Sequence, residues 1–259
     1  MPLNIESHNR STDQRNGVWL TFARFGGPIL VTSIQLADIA GDAMGIPRES
    51  AQLHLKTIRA GGQISFKGYG RAAADMTALD AARLLIASTA STFAKDSMDM
   101  LERFAHLKPL GRRSVNLTLE RALEKRIDEL PMHLPSEDDV KERVQSRRPF
   151  GSRRLAEDAL QLFEPIGAKT AELPRYAVLR WLTPDGHSNL LRFGPEGQRE
   201  ALQAIPNEQV TDTIRDILQR YSDHRLFQVR ILERAALIDV AAALKGVPPS
   251  YGNAYGNTR

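Results

Sequence analysis

Between residues 34 and 60 the apolar positions fall twice into the spacing of a buried helix face. Ile34, Ala37, Ala40 and Met44 make the first stripe, widened by Leu36, Ile39 and Ala43. Ala51, His54, Leu55 and Ile58 make the second, at i, i+3, i+4, i+7. Thr32 and Ser33 carry hydroxyls suited to capping the first helix, and Gly45 suits its end. Pro47 opens the second helix, expected over 48–60, and Gly61-Gly62 closes it. The glycines at 62, 68 and 70 around "QISFKGYGRAAADM" then predict a short hairpin. Thr77 caps a third helix, on which Ala78, Ala81, Ala82 and Leu85 repeat the spacing. A fourth helix is expected over 97–106 and a fifth over 116–130, with "LKPLGRRS" interrupting between them.

Beyond residue 154 the period changes. "YAVLRWL" and "SNLLRFG" flank a Pro-Asp-Gly turn, which predicts a β-hairpin over 176–194. Helices are expected over 196–205 and 210–221, "LFQVRILE" as a strand, and a last helix over 235–245. The fold class expected is mainly α with a small α+β module: an N-terminal helix pair with a hairpin, a helical middle, and a C-terminal β-hairpin plus helices. Residues 1–16 are expected as a flexible arm, 17–110 as the unit of helix pair and hairpin with its following helices, and 111–154 as a helix and basic linker. Residues 155–246 then form the α+β module, and the Pro-, Gly- and Asn-rich 247–259 a disordered tail. The run "VWLTFARFGGPILV", broken at Gly26-Gly27-Pro28, fits a strand or a short helix equally.

Composition narrows the chemistry. The chain has 259 residues and no cysteine, which excludes disulfides, thiolate metal sites and thiol nucleophiles. No apolar run approaches the roughly 18–20 residues of a membrane span, and Met1–Gly17 lacks a signal-peptide core, so a cytoplasmic protein without membrane partners is expected. The net charge of +4 is unevenly spread. Residues 155–259 hold 12 basic against 13 acidic side chains, so the excess lies earlier. Residues 45–71 hold Arg48, Lys56, Arg59, Lys67 and Arg71 against Glu49 alone, a local excess suited to phosphate contact.

No constellation for catalysis emerges. The six histidines, at 8, 54, 106, 133, 187 and 224, share no metal-ligand spacing. There is no P-loop and no G-x-S-x-G, and "GYGRAA" lacks the third glycine of a dinucleotide fingerprint. Glu137-Asp138-Asp139 reads as the acidic first turn of a helix, and Asp185 and His187 as turn residues. A non-enzyme without catalytic residues, cofactor or metal is expected.

The stretch "LADIAGDAMGIPRESAQLHLKTIRAGGQI" resembles the winged helix-turn-helix of bacterial ArsR, MarR and IclR-type repressors. Leu36, Ala37 and Ile39 match the packed first helix and Gly45-Ile46 the turn. Ser50, His54-Leu55 and Ile58 match the recognition helix, and Ala60-Gly61 the stop before the wing. The departure lies at Gly62, where a hydrophobic residue usually follows, so the wing is expected to start one residue late. The resemblance implies a transcriptional regulator that binds double-stranded DNA as a homodimer, with a dimer helix within 77–106. Helix 48–60 would read the major groove and wing 63–75 the phosphates. With Ala51, His54, Leu55 and Ile58 turned inward, Arg48, Glu49, Gln52, Leu53 and Lys56 face out as groove contacts. Lys67, Tyr69 and Arg71 would reach the backbone or minor groove. Residues 155–246 would serve self-association or a protein partner. The rival is a winged-helix adaptor that binds protein in a phage-like DNA packaging or replication complex. Bland expectations stand beside these: His54 as a packed histidine, Phe66 as a strand anchor, Trp181 and Phe193 as core, and Arg147-Arg148 and Arg153-Arg154 as a solvated linker.

Overall fold

The structure is a computed structural model; the residues it describes are 31–65, 75–110, 117–130, 158–165, 175–182, 188–194, 209, 212–214, 216 and 227–246. Helix α1 (Ser33–Met44) starts with a reciprocal capping box, in which Thr32 accepts from the Gln35 amide and the Gln35 side chain accepts from the Thr32 amide. It ends at Gly45, whose φ of 69° is open to glycine at no steric cost. The Ile46 amide there donates back to the Gly41 carbonyl at 3.0 Å. Helix α2 (Arg48–Ala60) follows after Pro47 and closes with the same bond pattern, Gln63 N–H to the Ile58 carbonyl at 3.0 Å. Helix α3 (Ala78–Ala90) repeats the capping box with Thr77 and Asp80.

A one-turn 3₁₀ helix (Ala94–Asp96) leads into α4 (Ser97–Ala105), a two-residue strand β1 (Lys108–Pro109) and α5 (Leu119–Glu129). The remaining elements are β2 (Asp158–Pro165), β3 (Tyr176–Leu182), β4 (Ser188–Gly194), β5 (Phe227–Glu233) and α6 (Arg234–Leu244). The five strands form one antiparallel sheet in the order β1-β4-β3-β2-β5.

Strand alternation divides the sheet's side chains between two clusters. Leu160, Leu162, Ala177, Leu179, Phe193 and Leu232 enter the main cluster with the helices. Phe163, Tyr176 and Val178 face the other way and pack with Leu110 and Ile214. The expected hairpin over 176–194 is present as β3 and β4, with Leu179 opposite Leu191. Phe193 is buried, as expected, while Trp181 packs half-buried with the Arg126 guanidinium 5.1 Å from its ring centre. Strand β2 is an addition to the expected elements. It lies between β3 and β5 with both faces covered, and even Gln161 is buried, so its sequence "DALQLFEP" shows no clean in–out alternation. "LKPLGRRS" proves to hold the edge strand β1, which joins β4 rather than merely interrupting helices.

The main cluster runs from Val31 to Ala243 and draws on all six helices and the sheet. Helix α3 is its axis: Leu84, Leu85 and Ile86 are fully buried, and each such side chain contributes roughly 1.5–3 kcal/mol of burial. Apart from Arg83, α3 is buried within its own chain from Asp80 to Ala90. Helix α6 packs on α1, so the last described helix supports the first directly. No helix among the described residues is long and apolar enough to cross a membrane. The expected arm, the 131–154 linker, the helix over 196–205 and the tail lie outside the described residues, as does Phe66.

A half-buried carboxylate on α6 has one oxygen without a partner among the described residues. Asp239 Oδ1 on α6 is buried with no hydrogen-bond partner among the described residues, and burial pushes its carboxyl up to about 6. The folded chain therefore holds this proton more tightly than the unfolded one, and stability from this group is lost as pH rises through about 6. Asp239→Asn removes the charge, so its stabilising effect in urea unfolding should be larger at pH 7.5 than at pH 4 by about 1–3 kcal/mol. An equal effect at both pH values would show that Asp239 is solvated in the native protein.

Candidate nucleic-acid interface

Helices α1 and α2 meet at very short range. A Cβ placed on Gly41 would lie 3.3 Å from Ala51 Cβ, the Arg48 Cα and the Ile46 carbonyl oxygen, and two of these three are backbone atoms that cannot turn aside. The turn Gly45-Ile46-Pro47 thus brings the second helix tightly across the first. Ala51, Leu55 and Ile58 are buried beneath it, together with His54.

The inner side of α2 is anchored by His54. Its Nδ1 is hydrogen-bonded to Ser97 Oγ at 2.6 Å and lies 3.3 Å from Ser91 Oγ, which donates to the Ala87 carbonyl at 2.6 Å. His54 therefore ties α2 to the end of α3 and the start of α4, and the expectation of a packed histidine is met. Arg230 of β5 braces the same joint from below, donating to Thr92 Oγ1 at 2.6 Å.

The outer side of α2 carries the expected reading residues. Glu49, Leu53 and Lys56 are exposed, and Arg48 and Gln52 are half-exposed. Two of the five are already engaged. Arg48 donates from Nε and Nη2 to both carboxylate oxygens of Asp42, at 2.9 and 2.6 Å. Gln52 donates from Nε2 to Asp38 at 2.7 Å. Asp38 and Asp42 sit one turn apart on α1, as Arg48 and Gln52 do on α2, so the contacts form two rungs between the helices. The hydrogen bond to Asp42 raises the Arg48 guanidinium further above its ordinary value. Charge counting along the sequence missed these partners because both aspartates precede residue 45. Over residues 33–60, Asp38, Asp42 and Glu49 balance Arg48, Lys56 and Arg59. The basic excess then rests on Lys67 and Arg71, which with Tyr69 lie outside the described residues.

The two ends of that segment are well placed all the same. On its N-terminal side, Ile64 is buried, the Ser65 amide donates to Asp80 Oδ1 at 2.9 Å, and Arg83 donates to the Gln63 carbonyl at 2.8 Å. On its C-terminal side, the Met76 amide donates to the Val31 carbonyl at 2.9 Å and the Thr77 amide to Asp80 Oδ2 at 2.9 Å. The buried Asp80 carboxylate therefore clamps both ends of residues 66–74 to the start of α3. Arg83 is held in turn by Glu120 of α5 at 2.8 Å. Ile64, two residues past the left-handed Gly62 at φ 75°, is the first buried hydrophobic side chain after Ala60-Gly61.

Among the described residues, no group of three or more histidine, aspartate or glutamate side chains could hold a metal ion. Comparison with known protein families, curated proteins and solved structures finds no match to this chain.

The anchor beneath α2 responds to pH. Burial holds the His54 imidazole below its ordinary value, and the nearby Arg230 charge acts in the same direction. The unfolded chain then binds this proton more readily, so stability falls as pH drops below about 6.5 toward the lower native value. Asp239 acts in the opposite direction over the same range, so the test is a comparison: between pH 7.5 and pH 5 in urea, His54→Gln should lose less stability than the unaltered chain. An unchanged dependence in the variant would assign the loss to other groups.

Proposed function

We propose that this is a DNA-binding protein, a transcriptional regulator without catalytic activity, in which α1 and α2 form a helix-turn-helix and residues 63–75 its wing. The observation that carries this reading is the pinning of both ends of 66–74 beside the α1–α2 pair, through Asp80 and the Val31–Met76 bond. A hairpin flanking a recognition helix requires that arrangement. An exposed helix of α2's dimensions fits the major groove, where Arg48 suits a guanine edge and Gln52 an adenine edge. Glu49 and Leu53 would face cytosine amino and thymine methyl groups, and Lys56 a phosphate. Lys67, Tyr69 and Arg71 would follow the backbone from the wing. Homodimers on two half-sites, and a protein partner for residues 155–246, belong to the same proposal.

A second reading has its own support. Leu53 is 54% exposed at the centre of the outward face, and the α1–α2 pair carries no net charge. Both features suit an adaptor whose helix-turn-helix binds protein in a DNA packaging or replication assembly.

Fluorescence anisotropy of a mixed-sequence duplex, across a salt series, separates the two. A DNA binder loses affinity along a straight line in log salt, and Lys67→Ala and Arg71→Ala should each reduce that slope by about 0.9. The pair Arg48→Ala and Gln52→Ala should instead cost discrimination between sequences, by about 1–3 kcal/mol for each bidentate base pairing removed. Absence of salt-sensitive binding by the unaltered chain would reject the regulator and favour the adaptor.

A further inference from the structure

The fork between Asp42 and Arg48 has little to do for the fold. The end of α1 is already secured by Gly45 and the Ile46-to-Gly41 hydrogen bond, and exposed ion pairs add little stability. At 48% and 32% exposure the two side chains stand at the surface, beside the N-terminus of α2. That is the part of a recognition helix that approaches base edges.

A guanidinium carries five N–H donors in a planar fork. Asp42 engages one on Nε and one on Nη2. The remaining three lie on Nη1 and on the far side of Nη2, and Nη1 has no hydrogen-bond partner among the described residues. This outer edge holds two parallel N–H vectors, the pattern that the O6 and N7 acceptors of one guanine receive. A side chain held this way loses less rotamer freedom on binding than a free arginine. Resting on the DNA-reading proposal above, we infer that Asp42 is a specificity-determining positioning residue: it fixes Arg48 in the pose that reads a single guanine. The Asp38–Gln52 bond repeats the device one turn along, leaving the Gln52 carbonyl oxygen and one amide hydrogen for the next base.

The arrangement exchanges affinity for discrimination. Asp42 brings a carboxylate close to a polyanion, so it weakens binding to every sequence, while a held Arg48 cannot swing to the nearest phosphate. Removing the carboxylate reverses both effects.

The test uses the full chain and the duplex it selects from a random library. Asp42→Asn should lower the preference for guanine at one position about tenfold, the scale of a bidentate base contact, while raising affinity for mixed-sequence DNA. Asp42→Glu keeps the charge but moves the carboxylate outward, so it should lose the guanine preference without the gain in general affinity. Arg48→Ala should abolish the same preference. Circular dichroism melts establish that each variant is folded. If both Asp42 variants keep the full preference that Arg48→Ala loses, Asp42 does not position the reader and the inference is overturned. It is overturned equally if Arg48→Ala leaves the preference untouched. Failure of the DNA reading itself looks different: the unaltered chain then shows no salt-sensitive duplex binding.

Discussion

The close approach of α1 and α2 at Gly41 is the constraint on which the rest of the outward face depends. Any side chain there would press on the Arg48 backbone and the Ile46 carbonyl at 3.3 Å, and α2 would have to give by a few tenths of an ångström. The short distance is what lets Asp42 reach Arg48 and Asp38 reach Gln52. It also seats Ala51, Leu55 and Ile58 in the core, with His54 pinned to Ser97 behind them. The same close packing thus accompanies both the burial under α2 and the pose of what α2 displays.

The support beneath this pair extends through the whole chain. Asp80 clamps the ends of the 66–74 segment, Arg83 and Glu120 connect that clamp to α5, and Arg230 joins the sheet to the α3–α4 joint. Helix α6, at the far end of the described residues, packs on α1. The helices and the sheet therefore share one core, and the sheet acts as a base for the α1–α2 pair.

The helices were legible wherever a single face is buried. Thr32, Gly45, Thr77 and the i, i+3, i+4 stripes give the limits of α1 and α2 and the start of α3 to within a residue, because caps and periodicity are local properties. The β3–β4 hairpin was legible through its Pro-Asp-Gly turn. Strand β2 was not, since burial on both faces removes the alternation that marks a strand. Nor was β1, which is too short to carry any period. For the candidate site, the outward positions of α2 could be read by subtraction from the buried ones. Their partners could not. Asp38 and Asp42 belong to a different helix, and only the angle at which α2 crosses α1 brings them to Arg48 and Gln52. A charge count over a sequence window weighs each residue alone, whereas the interface pairs them across the turn.

The measurement that tests the central proposal most directly is a titration of the isotope-labelled chain with duplex DNA, followed by amide and arginine side-chain resonances. The account predicts salt-sensitive shifts concentrated at Arg48, Gln52, Lys56, residues 63–77 and the Arg48 Nε–H, with the sheet unmoved. Shifts confined to the sheet and α6, or none at low salt, would contradict it.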